Sequence, residues 1–161
     1  MTSDTMMTTR LSRARYEVLL GIIFLVCGCA IYLLFRSKSL NIYQWCVAIG
    51  FSDMIDSLRN IVQNWNISEF VKFSLPDGLY CAAYILIIDA IWYKDQTITK
   101  YIIISLVPLV TTSSEVLQYF GLVKGTFDIY DLISYVLPPT VYIIAKIYYN
   151  NMFNSLKQKN V

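Results

Sequence analysis

The sequence contains no histidine, and this absence excludes several kinds of functional site. Ser–His and Cys–His nucleophile pairs, zinc ions held by imidazole and histidine proton relays all need that side chain. Any catalysis by this chain would therefore depend on carboxylates.

The four cysteines predict no metal site either. Cys27, Cys29 and Cys81 fall inside apolar runs and Cys46 in a shorter one, without the spacing or the partner ligands of a metal site. We interpret them as small buried hydrophobic residues, and we predict neither a metal ion nor a cofactor.

Charge is sparse, whereas apolar residues are abundant. The net charge is only +2, and no basic stripe interleaved with aromatic residues indicates nucleic-acid binding. The hydrophobic fraction of 57% and the mean hydropathy of +0.52 exceed what a soluble core of this size needs. The composition predicts an integral membrane protein whose main partner is the lipid bilayer.

Four apolar segments predict transmembrane helices, since a span needs about 20 mainly apolar residues. They cover residues 18–35, 75–93, 101–121 and 129–149. The short polar linker between the second and third segments implies an antiparallel helix pair. The predicted fold is all-α, a polytopic membrane helix bundle with four transmembrane helices in a single integral membrane domain, residues 1–161.

Residues 42–63, between the first two spans, predict an interfacial helix. Their apolar first half is too short to cross a membrane. Asp53, Asp56 and Arg59 follow at helical spacing, opposite an apolar face. These three residues are secondary site candidates, because the helix that carries them would form a lid or a polar wall over a site. Alternatively, Asp53 caps the helix and Asp56 pairs with Arg59 or Asn60.

The distribution of basic residues predicts that both termini are cytoplasmic. With the N-terminus inside, eight basic residues lie on the cytoplasmic side and five on the other, the usual bias of a membrane protein. The expected location is the bacterial inner membrane, with several passes. The cytoplasmic group is Arg10, Arg13, Arg15, Lys94, Lys100, Lys146, Lys157 and Lys159, and the outer group is Arg36, Lys38, Arg59, Lys72 and Lys124.

Polar side chains follow one face of the third span. Thr111, Ser114, Glu115 and Gln118 fall within an arc of about 100° at helical spacing. This stripe must face other helices or water, because lipid offers no hydrogen-bonding partners. Glu115 also lies where the helix dipole disfavours a carboxylate, so a functional role or an essential polar contact is predicted for it.

The fourth span begins with two aspartates that can approach the third span. A loop containing glycines can turn tightly and bring Asp128 and Asp131 back towards Gln118. Carboxylates grouped with Glu115, with Lys124 in reach, would shift one another's pKa values and could leave one protonated as a general acid. The alternative is that Asp128 caps the helix and Asp131 lies in its first turn.

The second span carries three polar residues of interest. Asp89 lies about one turn from its cytoplasmic end and is a secondary site candidate, able to pair with Lys94 or Lys146. At the other end, Ser74 is the expected cap and Asp77 its capping-box partner.

Two prolines interrupt the middle of the fourth span. Pro138 and Pro139 remove two backbone donors and predict a bend near Ser134 and Tyr135. The freed carbonyls either face a cavity or pack against a neighbouring helix.

The order of polar residues around the third and fourth spans resembles the VanZ-like family of small multi-pass bacterial membrane proteins. In that family an acidic residue and a glutamine precede a basic loop residue, and an aspartate and an asparagine follow in the last helix. Glu115 and Gln118 match the first pair and Asp131 the aspartate. The basic loop residue of the family is matched either by Lys124 or by no residue of this chain. Tyr135 stands where asparagine is expected.

The resemblance implies a role in the cell envelope, because the family's namesake is linked to resistance to the glycopeptide teicoplanin. We expect a protein that binds or modifies an amphiphilic envelope molecule, such as an envelope lipid or a glycan precursor, or that affects glycopeptide susceptibility. The alternative is a non-catalytic membrane scaffold or accessory subunit, and whether the chain is an enzyme is left open. The candidate catalytic residues are Glu115, Asp128 and Asp131, and the candidate binding residues are Thr111, Ser114, Gln118 and Lys124.

Overall fold

The computed structural model describes residues 3–159, with the side chains of 11–149, 151 and 152. All the regular secondary structure in this part of the chain is helical, which confirms the all-α prediction. The side chains of Arg10, Lys157 and Lys159, which enter the prediction of orientation, lie outside the described residues. The helices are α1 (Ser3–Phe35), α2 (Asn41–Ala48), α3 (Ser52–Val62), α4 (Glu69–Phe73), α5 (Leu75–Ile91), α6 (Ile98–Tyr119) and α7 (Ile129–Lys159).

In the described part of the chain, three helices are long and apolar enough to cross a membrane, within Leu11–Phe35, Ile98–Tyr119 and Ile129–Tyr149. The prediction of a fourth span over residues 75–93 is wrong. Helix α5 ends at Ile91 after 17 residues. At about 1.5 Å per residue that is about 26 Å, short of a hydrocarbon core of about 30 Å.

Helix α5 is apolar because it forms the centre of the bundle, where it packs against α1, α6 and α7. Small residues let α1 approach it closely, as in other membrane helix pairs. A Cβ atom added to Gly21 would lie 2.8 Å from Ile87 Cγ1, and one added to Gly28 would lie 3.3 Å from the Tyr80 ring. These glycines therefore set the distance between α1 and α5.

The proline pair of α7 lies inside a continuous helix and affects its packing against α5. The prolines cannot donate to the carbonyls of Ser134 and Tyr135, four residues earlier. Cys81 Sγ donates to the Tyr135 carbonyl at 3.8 Å. Gly78 makes room beside the Ser134 carbonyl, which an added Cβ atom would approach to 3.1 Å. The freed carbonyls thus face a neighbouring helix, the second alternative drawn from the sequence.

The segment predicted as one interfacial helix, residues 42–63, forms two helices, α2 and α3. The chain breaks between them near Gly50, whose φ of 84° is accessible mainly to glycine. Helix α3 is amphipathic: Ile55 and Val62 are buried, whereas its polar side chains reach α1 and the preceding loop. The short α4 then leads into α5.

Candidate functional site

Polar side chains gather at both ends of the bundle. We call the end where α1 and α6 finish and α5 and α7 begin the acidic end, and the opposite end the basic end. Because Asp77 and Asp89 are twelve residues apart on α5, their backbones are about 18 Å apart along the helix axis. The candidate residue Asp89 therefore lies in a different cluster from the candidates at the acidic end.

The first contact at the acidic end joins α6 to α7. Glu115 is buried, and its Oε2 accepts a hydrogen bond from the Asp128 backbone N–H at 3.4 Å. Asp128 Oδ1 accepts from the Tyr130 backbone N–H at 2.8 Å, the geometry of a helix N-cap. The turn thus brings Asp128 to Glu115 as expected from the sequence, and the capping alternative for Asp128 also holds.

Asp131 is the least satisfied member of this group. Its Oδ1 is buried and has no hydrogen-bond partner in the described part of the chain. Its charge acts on both Glu115 and Asp77. Since leaving a buried acceptor unpaired costs about 1–3 kcal/mol, this oxygen needs a donor from water or from a ligand.

Asp77 belongs to the acidic end as well, and its assignment as a capping residue is wrong. Ser74 is the N-cap of α5, but no side-chain cap hydrogen bond forms there. Instead, Asp77 Oδ1 accepts from the Tyr32 hydroxyl at 3.4 Å, and Oδ2 lies 3.9 Å from Arg36 Nη2. The Tyr135 hydroxyl also interacts with Asp77. The only sequence signal was a tyrosine and an arginine one turn apart at the end of α1.

Arg36 holds the end of α1 against the end of α4. Its Nη2 donates to the Phe73 carbonyl at 2.8 Å, and its Cζ lies 4.7 Å from the Tyr32 ring centroid and 4.9 Å from that of Phe73. Such cation–π contacts fix the guanidinium in place. Arg36 is the cation paired with this cluster. The carboxylates of the cluster are Asp77, Glu115, Asp128 and Asp131, so its negative groups outnumber the positive one.

The remaining candidate binding residues make local contacts. Gln118 Nε2 donates to Ser114 Oγ at 3.4 Å, and Gln118 packs on Gly125, where an added Cβ atom would lie 2.6 Å from Gln118 Cδ. Thr111 Oγ1 donates to a backbone carbonyl one turn earlier at 2.9 Å. Lys124 is exposed and takes part in none of the ion pairs between described side chains.

A groove of about 370 Å³ opens on α6 beside the acidic end. Its walls are mainly apolar with two serine hydroxyls, and Ser114 directly precedes the buried Glu115. The groove and the acidic cluster therefore lie on adjacent faces of one helix. The lining residues are Leu109, Val110, Ser113, Ser114, Leu117 and Val123.

The secondary candidates on α3 hold the loop region together, and the pairing of Asp56 predicted within α3 is wrong. Asp56 Oδ2 accepts from Lys38 Nζ at 2.7 Å, and Oδ1 accepts from the Tyr43 hydroxyl at 3.0 Å. The hydrogen bond from Lys38 lowers the pKa of Asp56, and the same bond raises the pKa of Lys38. The N-cap position of α3 is Phe51, so the prediction that Asp53 caps the helix is also wrong.

Arg59 caps the C-terminus of α1. Its Nε donates to the Leu33 carbonyl and its Nη2 to the Arg36 carbonyl, each at 2.6 Å. A cation at this position satisfies carbonyls that have no partner within the helix and complements the helix dipole. The role of Arg59 follows from the packing of α3 on α1, which spacing within α3 does not reveal.

Asp89 is the centre of the basic end and is separate from the acidic cluster. It is 2% exposed and forms ion pairs with Lys100 at 2.5 Å and Lys146 at 2.7 Å. Pairing with Lys146 is therefore confirmed, whereas Lys94 is not a partner among the described ion pairs. Lys100 is 1% exposed and also donates to the carbonyls of Asp89 and Trp92. Mutual neutralisation is the usual arrangement for buried charges.

No group of three or more His, Cys, Asp or Glu side chains in the described part of the chain is arranged to hold a metal ion. No protein family, curated protein or solved structure matches this chain in sequence or fold comparisons.

Proposed function

We propose that this protein resembles the VanZ-like family in function and binds an amphiphilic molecule of the bacterial cell envelope at its acidic end. The observation that carries the proposal is the groove on α6 beside a buried cluster of carboxylates, one oxygen of which lacks a described partner. An amphiphile needs an apolar surface and a polar anchor next to each other, and the two faces of α6 offer both.

The excess of carboxylates favours a headgroup rich in hydrogen-bond donors, such as hydroxyl or amino groups. Asp131 Oδ1 would accept from the headgroup, and the groove would hold the apolar chain. If the bound molecule is also modified, Glu115 or Asp131 would act as general acid, because the sequence has no histidine. The excess of basic residues towards the N- and C-termini favours an outward acidic end in the inner membrane.

Filling the groove tests this proposal. Val110→Trp places a large ring in the groove, whereas Leu106→Trp adds the same ring at an exposed position on α6 outside it. We expect protein purified in mild detergent to retain an amphiphile, detected by mass spectrometry of its lipid extract. Retention should be lost in Val110→Trp and kept in Leu106→Trp. Equal retention in both variants would contradict the proposal.

The second candidate function is a non-catalytic scaffold or accessory subunit. The observation in its favour is that Glu115 joins α6 to the start of α7 through the Asp128 backbone N–H, while the Asp128 side chain caps α7 itself. Under this hypothesis the purified protein carries a stoichiometric protein partner and no amphiphile. Glu115→Gln separates the two functions, because the amide oxygen can still accept from the Asp128 N–H. A lost amphiphile with an unchanged fold supports binding, whereas a bound partner and no amphiphile supports the scaffold.

A further inference from the structure

A second groove, of about 420 Å³, opens at the basic end, where α1 meets α7. Its lining changes from polar to apolar along α1, from Ser12 and Arg13 to Leu20. Leu19 and Ile23 extend the apolar surface beyond it, being 56% and 47% exposed. Such a gradient along a helix that enters a membrane matches a phospholipid, with its polar head and apolar chains. The full lining is Ser12, Arg13, Tyr16, Glu17, Leu20 and Tyr149.

Arg13 faces this groove with unused hydrogen-bond donors. Its Nε donates to Glu17 at 2.7 Å, but its Nη2 lies 3.8 Å from Asp89, beyond hydrogen-bond distance. Its guanidinium lies over the Tyr149 ring, 4.7 Å from the centroid. A guanidinium has five N–H donors, so several of them have no acceptor in the described part of the chain. The side chain is 34% exposed and open to a ligand.

The charges around Arg13 do not balance. Among the described side chains of these ion pairs, Arg13, Lys100 and Lys146 are positive, and Asp89 and Glu17 are negative, which leaves one positive charge in excess. Lys100 is satisfied by Asp89 and two carbonyls, and Lys146 lies 2.7 Å from Asp89. Arg13 is therefore the cation with the longest distance to Asp89 and the only one of the three that lines the groove. A charge near the membrane boundary favours an anion that neutralises it.

We propose that the groove between α1 and α7 binds an anionic phospholipid, with the Arg13 guanidinium as the ligand of its phosphate. Arginine binds phosphate through parallel N–H···O bonds, which a lysine cannot reproduce. Leu20 and the exposed apolar face of α1 contact the acyl chains. This site lies at the opposite end of the bundle from the proposed amphiphile site, so either can fail without the other.

Thermal unfolding of the detergent-purified protein with added lipid tests the proposal. We expect phosphatidylglycerol to raise the melting temperature, and phosphatidylcholine at the same mole ratio to have little effect. Arg13→Gln should weaken the apparent affinity for phosphatidylglycerol about tenfold or more, because charge-assisted bonds are lost. Arg15 is exposed, lies on the same helix and does not line the groove, so Arg15→Gln should bind like the wild type.

Two further measurements keep the test decisive. The double variant Arg13→Gln/Glu17→Gln removes both members of the 2.7 Å ion pair and leaves no unpaired carboxylate if Arg13→Gln alone fails to fold. Wild-type affinity in this variant, or equal losses in Arg13→Gln and Arg15→Gln, would overturn the proposal. Inorganic phosphate is added in the same unfolding assay. If it raises the melting temperature as much as phosphatidylglycerol does, and only when Arg13 is present, the groove is an anion site and not a lipid site.

Discussion

The two ends of the bundle treat buried charge in opposite ways. At the basic end, Asp89 is neutralised by Lys100 and Lys146, and each of these side chains is at most 18% exposed. At the acidic end, carboxylates outnumber cations, and Asp131 Oδ1 is buried without a described hydrogen-bond partner. Paired buried charges are explained by the fold itself, whereas a buried carboxylate oxygen outside any ion pair needs a donor from water or from a ligand. The difference assigns the buried ion pairs around Asp89 to structure and supports the proposed amphiphile site at the acidic end, while the proposed lipid groove of the basic end involves the less tightly paired Arg13.

The largest effect is expected from breaking the basic end. Asp89→Asn leaves Lys100 and Lys146 buried without a carboxylate, and removing one partner of a buried ion pair typically costs about 3–5 kcal/mol. We expect a large fall in the free energy of unfolding, measured by denaturant titration in detergent. Asp95→Asn, at an exposed position in the next loop, is the control and should change little. Equal stability of the two variants would contradict a structural role for the Asp89 ion pairs.

An intermediate effect is expected at the acidic end, where caps rather than buried ion pairs hold α1 in place. Arg59→Gln removes two charge-assisted bonds to the Leu33 and Arg36 carbonyls. Hydrogen bonds to charged groups contribute about 1.5–3 kcal/mol each. Because Arg59 is only partly buried, water can replace part of this bonding to the carbonyls, and we expect the total loss to stay below that of Asp89→Asn. Lys124→Gln, at an exposed position, is the control in the same unfolding assay. A larger loss for Arg59→Gln than for Asp89→Asn would reverse the comparison.

The smallest effect is a pH dependence of the loop helices. The hydrogen bond from Lys38 lowers the pKa of Asp56, so its stabilisation is complete above the ordinary aspartate pKa. It is lost as the pH falls through the lowered value of the folded state. The pKa of Lys38 is raised, so in alkali the contact persists until the pH passes that raised value.

Hydrogen exchange of α3 measures this dependence. Protection, corrected for the intrinsic pH dependence of exchange, should be constant near neutral pH and fall in acid. The change should be small because both side chains are exposed. Asp56→Asn should show lower protection at neutral pH and no further acid step. The same acid step in that variant would exclude the Lys38–Asp56 contact as its cause.

Local patterns in the sequence predicted the elements that depend on one helix or one turn. The starts of α6 and α7 were placed within a few residues, and the approach of Asp128 to Glu115 followed from a glycine turn. Helix α5 was predicted too long, because Trp92 and Tyr93 continue its apolar run beyond Ile91. Hydropathy does not distinguish a helix that faces lipid from one that is buried among other helices.

Contacts between distant elements were beyond the reach of the sequence. Asp77 had a complete local explanation as a capping residue, so nothing in its surroundings indicated Tyr32 or Arg36. Arg59 had acidic neighbours on its own helix, yet it bonds carbonyls of α1. The partner of each side chain depends on which helices pack together. Helix α1 packs closely against α5 because its glycines leave room for α5 side chains.

The most direct test compares one carboxylate from each end in a single preparation series. Melting temperature and retained amphiphile would be measured for Asp131→Asn and Asp89→Asn. The expected result is that Asp131→Asn remains folded and loses the amphiphile, whereas Asp89→Asn loses stability and keeps the amphiphile below its lowered melting temperature. Full retention of the amphiphile in Asp131→Asn, or a loss of stability as large as in Asp89→Asn, would contradict the assignment of binding to the acidic end.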